Sequence, residues 1–136
     1  WLQQNTESTF TPAFRTQLDS LTRVQQDLIT LMGEIVCEPE KHERYVAQFG
    51  SFPESALQRI DAIVEELESL EIHPKGWVFY GGNRISAACD FASKTCRRAE
   101  VNHLNTPGAE TRPLLKQYLN RLSDLLYLMG RYFDLP

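Results

Sequence analysis

Residues 111–133 read TRPLLKQYLNRLSDLLYLMGRYF, and their apolar side chains recur at three- and four-residue spacing. That spacing puts them on one face of an amphipathic α-helix, the face that packs against a core. Pro113 suits the first turn, where the helix has no use for a backbone N–H donor. The sequence therefore predicts a helix over about 111–133 whose core stripe is Leu115, Tyr118, Leu122, Leu125, Met129 and Tyr132.

The same periodicity predicts three more long helices upstream. The first begins at Thr11-Pro12, with Thr11 as the N-cap, and runs to about Cys37. A loop over 38–50 follows, with a short helical turn at about 40–48. The second helix begins at Ser51-x-x-Glu54, which has the form of a capping box.

The third long helix is predicted over about 83–103, after a break at His73-Pro74 and the aromatic run 77–80. No alternating pattern of strand length occurs along the chain. The expected fold is all-α, an antiparallel helical bundle with four long helices that forms one domain over residues 1–136.

Composition narrows the class of function. The 136 residues are 42% hydrophobic and 24% charged, as in a compact domain. A formal net charge of −4 without a basic run argues against a nucleic-acid partner. The absence of a membrane-length apolar stretch or signal-peptide pattern predicts no membrane partner and a cytoplasmic location. The cysteines, Cys37, Cys89 and Cys96, match no zinc-site spacing, so buried thiols and no metal ligands are expected.

Polar residues also follow helical spacing on the last two helices. Ser86, Asp90, Ser93, Arg97 and Glu100 form one stripe, and Asn120, Asp124, Tyr127 and Arg131 form another. Two interpretations stay open: solvated outer faces, or a polar groove for an anionic ligand. Arg97-Arg98 favours the groove, because a guanidinium matches phosphate oxygens two at a time. Gly81-Gly82 before a helix N-terminus offers backbone amides to the same kind of ligand.

Two signatures carry a family resemblance. Gly81-Gly82-x-x-Ile85-Ser86 followed by Cys96-Arg-Arg-Ala-Glu100, and Asn120-Arg-Leu-Ser-Asp124 followed by Arg131-Tyr132, resemble the two signatures of PduO-type ATP:cob(I)alamin adenosyltransferases. The resemblance implies a five-helix bundle that assembles as a homotrimer with active sites between subunits. It implies transfer of the 5′-deoxyadenosyl group of ATP, accompanied by Mg²⁺, to the corrinoid substrate cob(I)alamin, with release of triphosphate. The cobalamin would be held without its lower axial ligand, behind a hydrophobic wall.

The resemblance also assigns site residues. The residues implied to bind ATP are Arg97, Arg98, Glu100 and Asn120. Those implied to be catalytic are Arg97, Asn120 and Asp124. Those implied to bind cobalamin are Trp77, Phe79 and Tyr127. From the residues alone, the aromatic run 77–80 is more simply a set of core or interface side chains than a cofactor wall.

The chain departs from the family pattern at several positions. It contains no Thr-Arg-x-Gly-Asp-x-Gly phosphate-binding segment, and Ser93 stands where the family usually has an arginine. Tyr80 replaces a proline, Asp90 replaces a common histidine, and Val101 replaces an arginine. Two explanations of these departures stay open. The chain is an active enzyme whose N-terminal sequence is missing here, or it is a divergent member that binds corrinoid or nucleotide without efficient catalysis.

Overall fold

The structure, a computed structural model, describes residues 12–135, which form five α-helices and no β-strand. The predicted all-α fold is confirmed, and the turn expected at 40–48 is a true helix of eight residues. The N-cap predicted at Thr11 lies outside the described residues. The helices are α1 (Pro12–Ile35), α2 (His42–Phe49), α3 (Glu54–Ser69), α4 (Arg84–Leu104) and α5 (Pro113–Phe133).

Helix α5 is the centre of the bundle and packs against both α3 and α4. Five of the six residues in its predicted core stripe are at most 2% exposed, whereas Tyr132 is only half-buried. From α3 the core receives Ile60, Val64 and Leu67. Helix α1 is tied to the centre by the Tyr118 hydroxyl, which donates to the buried Asp27 carboxylate at 3.0 Å. The apolar spacing of α5 therefore places the core as the sequence predicts.

Helices α4 and α5 run antiparallel, and hydrogen bonds from side chains to backbone carbonyls join them along their length. Asn83 Nδ2 donates to the Phe133 carbonyl at 2.7 Å, at one end of the pair. Ser93 Oγ donates to the Ser123 carbonyl at 2.8 Å, and Cys96 Sγ contacts the Leu119 carbonyl at 3.1 Å. Later residues of α4 thus meet earlier residues of α5, so the two helices present one continuous surface.

Two helix starts differ from the sequence prediction. The capping box predicted at Ser51 is wrong, because α3 begins at Glu54 behind an extended Pro53 and no side chain caps it. The cause is Phe52, which is 3% exposed and whose N–H donates to Glu34 Oε2 at 2.6 Å, so the chain before α3 is anchored to α1 instead. Helix α4 has a capping box that the sequence analysis missed: Asn83 caps Ile85 and Ser86, and the Ser86 hydroxyl accepts from the Asn83 N–H.

The two helix starts predict different losses of stability on substitution. Asn83→Ala is expected to lower the free energy of unfolding by about 1 kcal/mol, because two amides of the first turn lose their acceptor. Ser51→Ala is expected to change it by less than about 0.5 kcal/mol, since Ser51 is exposed and caps nothing. Urea unfolding of both variants measures the difference, and equal destabilisation would contradict the cap assignment.

Candidate functional site

The polar stripe of α4, apart from Arg97, faces the protein and not the solvent. Ser86, Asp90, Ser93 and Glu100 are each at most 6% exposed. The interpretation of this stripe as a solvated outer face is therefore wrong. The α4 stripe packs onto α5, where carbonyls, an amide and a guanidinium satisfy its polar atoms, as buried polar groups require.

At the middle of this interface four side chains form one hydrogen-bonded group, called here the polar cluster: Arg97, Glu100, Asn120 and Asp124. The buried Glu100 carboxylate accepts from Arg97 NH1 at 3.2 Å and from Asn120 Nδ2 at 3.0 Å. Arg97 NH2 donates to Asp124 Oδ1 across the interface at 3.2 Å. The structure thus brings together the arginine and the asparagine that the sequence places on separate helices.

The polar cluster remains open to solvent on one side. The Arg97 side chain is 49% exposed, although both of its terminal nitrogens contact carboxylates. Glu100 and Asn120 line a cavity of about 430 Å³ whose other walls include Leu57 on α3, a volume within the usual range of small-molecule sites, about 300–1,000 Å³. The half-exposed Arg97 guanidinium is thus held by two carboxylates, one of which belongs to a residue that lines this cavity.

Helix α3 closes the outer side of the cavity through an ion pair that the sequence analysis did not identify. Arg121 Nε donates to Asp61 Oδ1 at 2.6 Å, and the hydrogen bond to Asp61 raises the pKa of the guanidinium. Asp61 lies on α3, and the periodicity of neither helix indicates that it pairs with Arg121 on α5.

Arg98 stands apart from this group. Its side chain is exposed, and among the described residues no hydrogen bond or ion pair joins it to the polar cluster. The first amides of α4, which follow Gly81-Gly82, are also not free for an anion. Asn83 already accepts from the first amides of α4, and the Asp134 carboxylate packs directly against Gly82.

The aromatic run 77–80 lies on the surface. Trp77 is 97% exposed and Phe79 is 91% exposed, so neither is a core residue. Both line a cavity of about 500 Å³ that also reaches Arg131 at the end of α5. Large aromatic side chains left this exposed mark a surface that a ligand or another chain covers.

Tyr127 approaches this surface from α5 and is half-buried. It follows Asn120 by seven residues, so the two lie about 10 Å apart along one helix. Lys94 and Arg131 each lie over the rings of both Tyr80 and Tyr127, at 5.0–5.7 Å from the ring centroids. The rings of residues 77–80 together with Tyr127 are called here the aromatic surface. The polar cluster and the aromatic surface are therefore neighbours along α5.

Two of the three thiols are expected to be unreactive. Burial raises the pKa of Cys89 and that of Cys96 to about 11 each, so both remain protonated near neutral pH and make poor nucleophiles or metal ligands. Within residues 12–135, no three or more His, Cys, Asp or Glu side chains come together as a metal site. None of the helices in this part of the chain is long and apolar enough to span a membrane.

Comparison with known proteins identifies the family of this chain. A model of the family described as cobalamin adenosyltransferase matches residues 4–133. The chain belongs to the cobalamin adenosyltransferase family. The corrinoid adenosyltransferase PduO of Salmonella typhimurium is 30% identical over 119 residues, which are 84% of this chain and 33% of that protein. The chain therefore spans about a third of the length of that curated relative. No solved structure matches the chain significantly.

Family membership confirms the resemblance carried by the two signatures. In this chain the second half of the first signature lies on α4 and contributes Arg97 and Glu100. The second signature lies on α5 and contributes Asn120 and Asp124. The hydrogen bonds of the polar cluster therefore link the two signatures directly.

Proposed function

We propose that this chain carries the catalytic face of a corrinoid adenosyltransferase that moves the 5′-deoxyadenosyl group of ATP to cob(I)alamin. The cobalt(I) electron pair forms the new bond to the 5′ carbon as the bond from that carbon to the triphosphate oxygen breaks. The electrons of the broken bond leave on triphosphate, and the cobalt is formally oxidised from I to III. The polar cluster, which joins both family signatures beside an open cavity, is the observation that carries the proposal.

Arg97 is proposed to bind the leaving triphosphate. Its guanidinium is half-exposed and is held by Glu100 and Asp124, so little ordering is needed when the phosphates arrive. A donor fixed where negative charge develops stabilises the transition state more than the ground state. Asp124 is proposed to contribute by holding Arg97 in this orientation.

Asn120 and Arg98 are proposed as further ATP contacts. The Asn120 amide donates to Glu100 on one side and lines the cavity on the other. Glu100 is 6% exposed and accepts from both neighbours, which suits an orienting role better than acid–base chemistry. Arg98 is exposed one residue after Arg97, where it adds positive charge near the phosphates.

Trp77, Phe79 and Tyr127 are proposed to face the lower side of the corrin ring. Exposed aromatic rings that become covered by a flat macrocycle exclude water from the space below the cobalt. Without water or a base below it, cobalt is more readily reduced to the nucleophilic cobalt(I) state. The cavity of about 500 Å³ beside Trp77 and Phe79 gives this surface a concave shape.

Magnesium enters the proposal with ATP and not as a resident metal. Within the described residues no cluster of potential ligands is present, and Mg²⁺ in nucleotide sites is commonly bound by phosphate oxygens and water. The cytoplasm suits the proposal, because Cys37, Cys89 and Cys96 are all unpaired.

A homotrimer with active sites between subunits is part of the same proposal. Ile29 and Met32 on α1 and Val36 just after its end lie at three- and four-residue spacing and are 55–79% exposed. An apolar stripe of this kind fits a second copy of the chain. Sedimentation equilibrium of the intact protein should give three times the subunit mass, and a monomer would contradict this part of the proposal.

Anaerobic incubation of the intact protein with ATP and cob(I)alamin tests the activity. The expected result is the absorbance spectrum of adenosylcobalamin together with one triphosphate released per adenosyl group transferred. Absence of both products under conditions where the protein remains folded would overturn the proposal.

A divergent binder without efficient catalysis is the second candidate, and Ser93 favours it. Ser93 is 4% exposed and its hydroxyl donates to the Ser123 carbonyl, so this position supplies packing between α4 and α5 and no cation. This candidate predicts a change in the cob(II)alamin spectrum on binding with no product formed from ATP.

A further inference from the structure

A buried ion pair lies directly behind the aromatic surface. Arg131 on α5 is 4% exposed and Asp90 on α4 is 5% exposed. One terminal nitrogen of Arg131 donates to both carboxylate oxygens of Asp90, at 2.8 and 2.7 Å. The same nitrogen lies 3.2 Å from Asp134 Oδ2 at the end of α5. The guanidinium is therefore fixed from both helices.

The guanidinium that Asp90 holds also contacts two aromatic rings. Its Nε is buried without an acceptor, and Asp134 Oδ1 is buried without a donor. Buried polar atoms are nearly always paired, so the guanidinium is not placed for the largest number of hydrogen bonds. Its central carbon instead lies 5.4 Å from the Tyr80 ring centroid and 5.3 Å from that of Tyr127, within the range of cation–π attraction.

The two rings on Arg131 reach the surface. Tyr80 is 54% exposed and Tyr127 is half-buried, and Arg131 also lines the cavity that contains Trp77 and Phe79. Lys94 approaches the same two rings, at 5.0 and 5.7 Å from their centroids. The ion pair thus connects the helix interface to the rings that face the proposed ligand.

We propose that Asp90 and Arg131 are positioning residues, which hold Tyr80 and Tyr127 in the orientation that keeps ligands off the lower face of the corrin. This inference rests on the proposed function. Asp90 orients the guanidinium, the guanidinium orients both rings, and the rings exclude water from below the cobalt. Arg131 reaches the edge of the cavity beside Trp77, but the role proposed for it and for Asp90 acts through the two rings.

The test compares Asp90→Asn with Asp27→Asn. Asp27 is an equally buried carboxylate, paired with Arg59 at 2.8 Å and with Tyr118 at 3.0 Å, on the α1 side of the core. Loss of either carboxylate charge should lower the melting temperature. Only Asp90→Asn is expected to reduce the four-coordinate fraction of bound cob(II)alamin, read from its electron paramagnetic resonance spectrum, and to lower kcat by about tenfold with the KM for ATP unchanged.

Tyr80→Leu provides a second variant that is expected to fold, because Tyr80 is half-exposed. It removes one ring from Arg131 and should reduce the four-coordinate fraction in the same direction. Unchanged four-coordinate fractions in folded Asp90→Asn and Tyr80→Leu would overturn the inference. So would equal losses of kcat in Asp90→Asn and Asp27→Asn, because those would reflect stability alone.

The spectra separate this inference from the proposed function. If the unmodified protein binds cob(II)alamin but forms no adenosylcobalamin, the transferase proposal fails and the comparison of four-coordinate fractions still decides the inference. If the unmodified protein binds no corrinoid, both are overturned.

Discussion

Arg97→Ala is expected to lower kcat/KM for adenosyl transfer by about 100- to 1,000-fold, the usual effect of losing one donor at a developing charge. The loss follows from the position of Arg97, where the guanidinium is 49% exposed and aimed by Glu100 and Asp124 at the open side of the polar cluster. Arg97→Lys should recover part of the rate, because an ammonium keeps the charge but cannot offer two parallel donors. The measurement is steady-state adenosylation under anaerobic conditions with ATP varied.

Arg23→Ala is the matched control for this experiment. Arg23 is 58% exposed on α1 and lies 3.9 Å from the buried carboxylate of Asp27, so it also pairs an exposed guanidinium with a buried acid. Its removal should leave kcat/KM unchanged. Similar losses in Arg97→Ala and Arg23→Ala, or full activity in Arg97→Ala, would show that the polar cluster does not bind the triphosphate.

The helices and the core were predictable because apolar spacing reports which face of a helix is buried. The stripe from Leu115 to Met129 became the centre of the bundle as expected. The start of α5 was also close, since Pro113 marks a helix start by local chemistry alone. The start of α4 was close as well, although its cap, Asn83, was missed. The start of α3 was misplaced because Phe52 is anchored by Glu34, a residue distant in sequence.

The burial of the polar stripe on α4 was not predictable from one helix. Periodicity shows that Asp90, Ser93 and Glu100 share a face, but a face can be polar because it is solvated or because another helix satisfies it. The partners Arg131, Ser123 and Asn120 lie 41, 30 and 20 residues away in sequence. Only the family resemblance linked Glu100 to Asn120 in advance, and nothing in the sequence linked Asp90 to Arg131.

The aromatic run 77–80 was ambiguous for a related reason. A Trp and a Phe two residues apart outside a helix favour a core or an interface by default, and a ligand wall is the less common alternative. Their exposure in the structure rules out the core and leaves a surface that needs covering. The corrin and a neighbouring subunit both fit that description, and a substitution that leaves folding intact distinguishes them.

The double variant Trp77→Ser/Phe79→Ser is expected to weaken cob(II)alamin binding by about 10- to 100-fold, since loss of two contact aromatics removes most of the apolar area on this surface. Stability should change by less than about 0.5 kcal/mol, because both side chains are more than 90% exposed and support no packing. Binding of ATP should stay the same, since Asn120 lies about 10 Å from Tyr127 along α5. Absorbance titration with cob(II)alamin gives the affinity, and thermal unfolding gives the stability.

Phe49→Ser is the control for that double variant, because Phe49 is an exposed aromatic on α2 that lines neither the cavity beside Trp77 nor the one beside Asn120. It should leave corrinoid affinity unchanged. If the double variant instead dissociates the assembly while each remaining subunit binds cob(II)alamin normally, Trp77 and Phe79 cover a neighbouring subunit and not the corrin. Exclusion of ligands from the lower face of the corrin would then depend on Tyr127 and Tyr80, the two rings that contact Arg131.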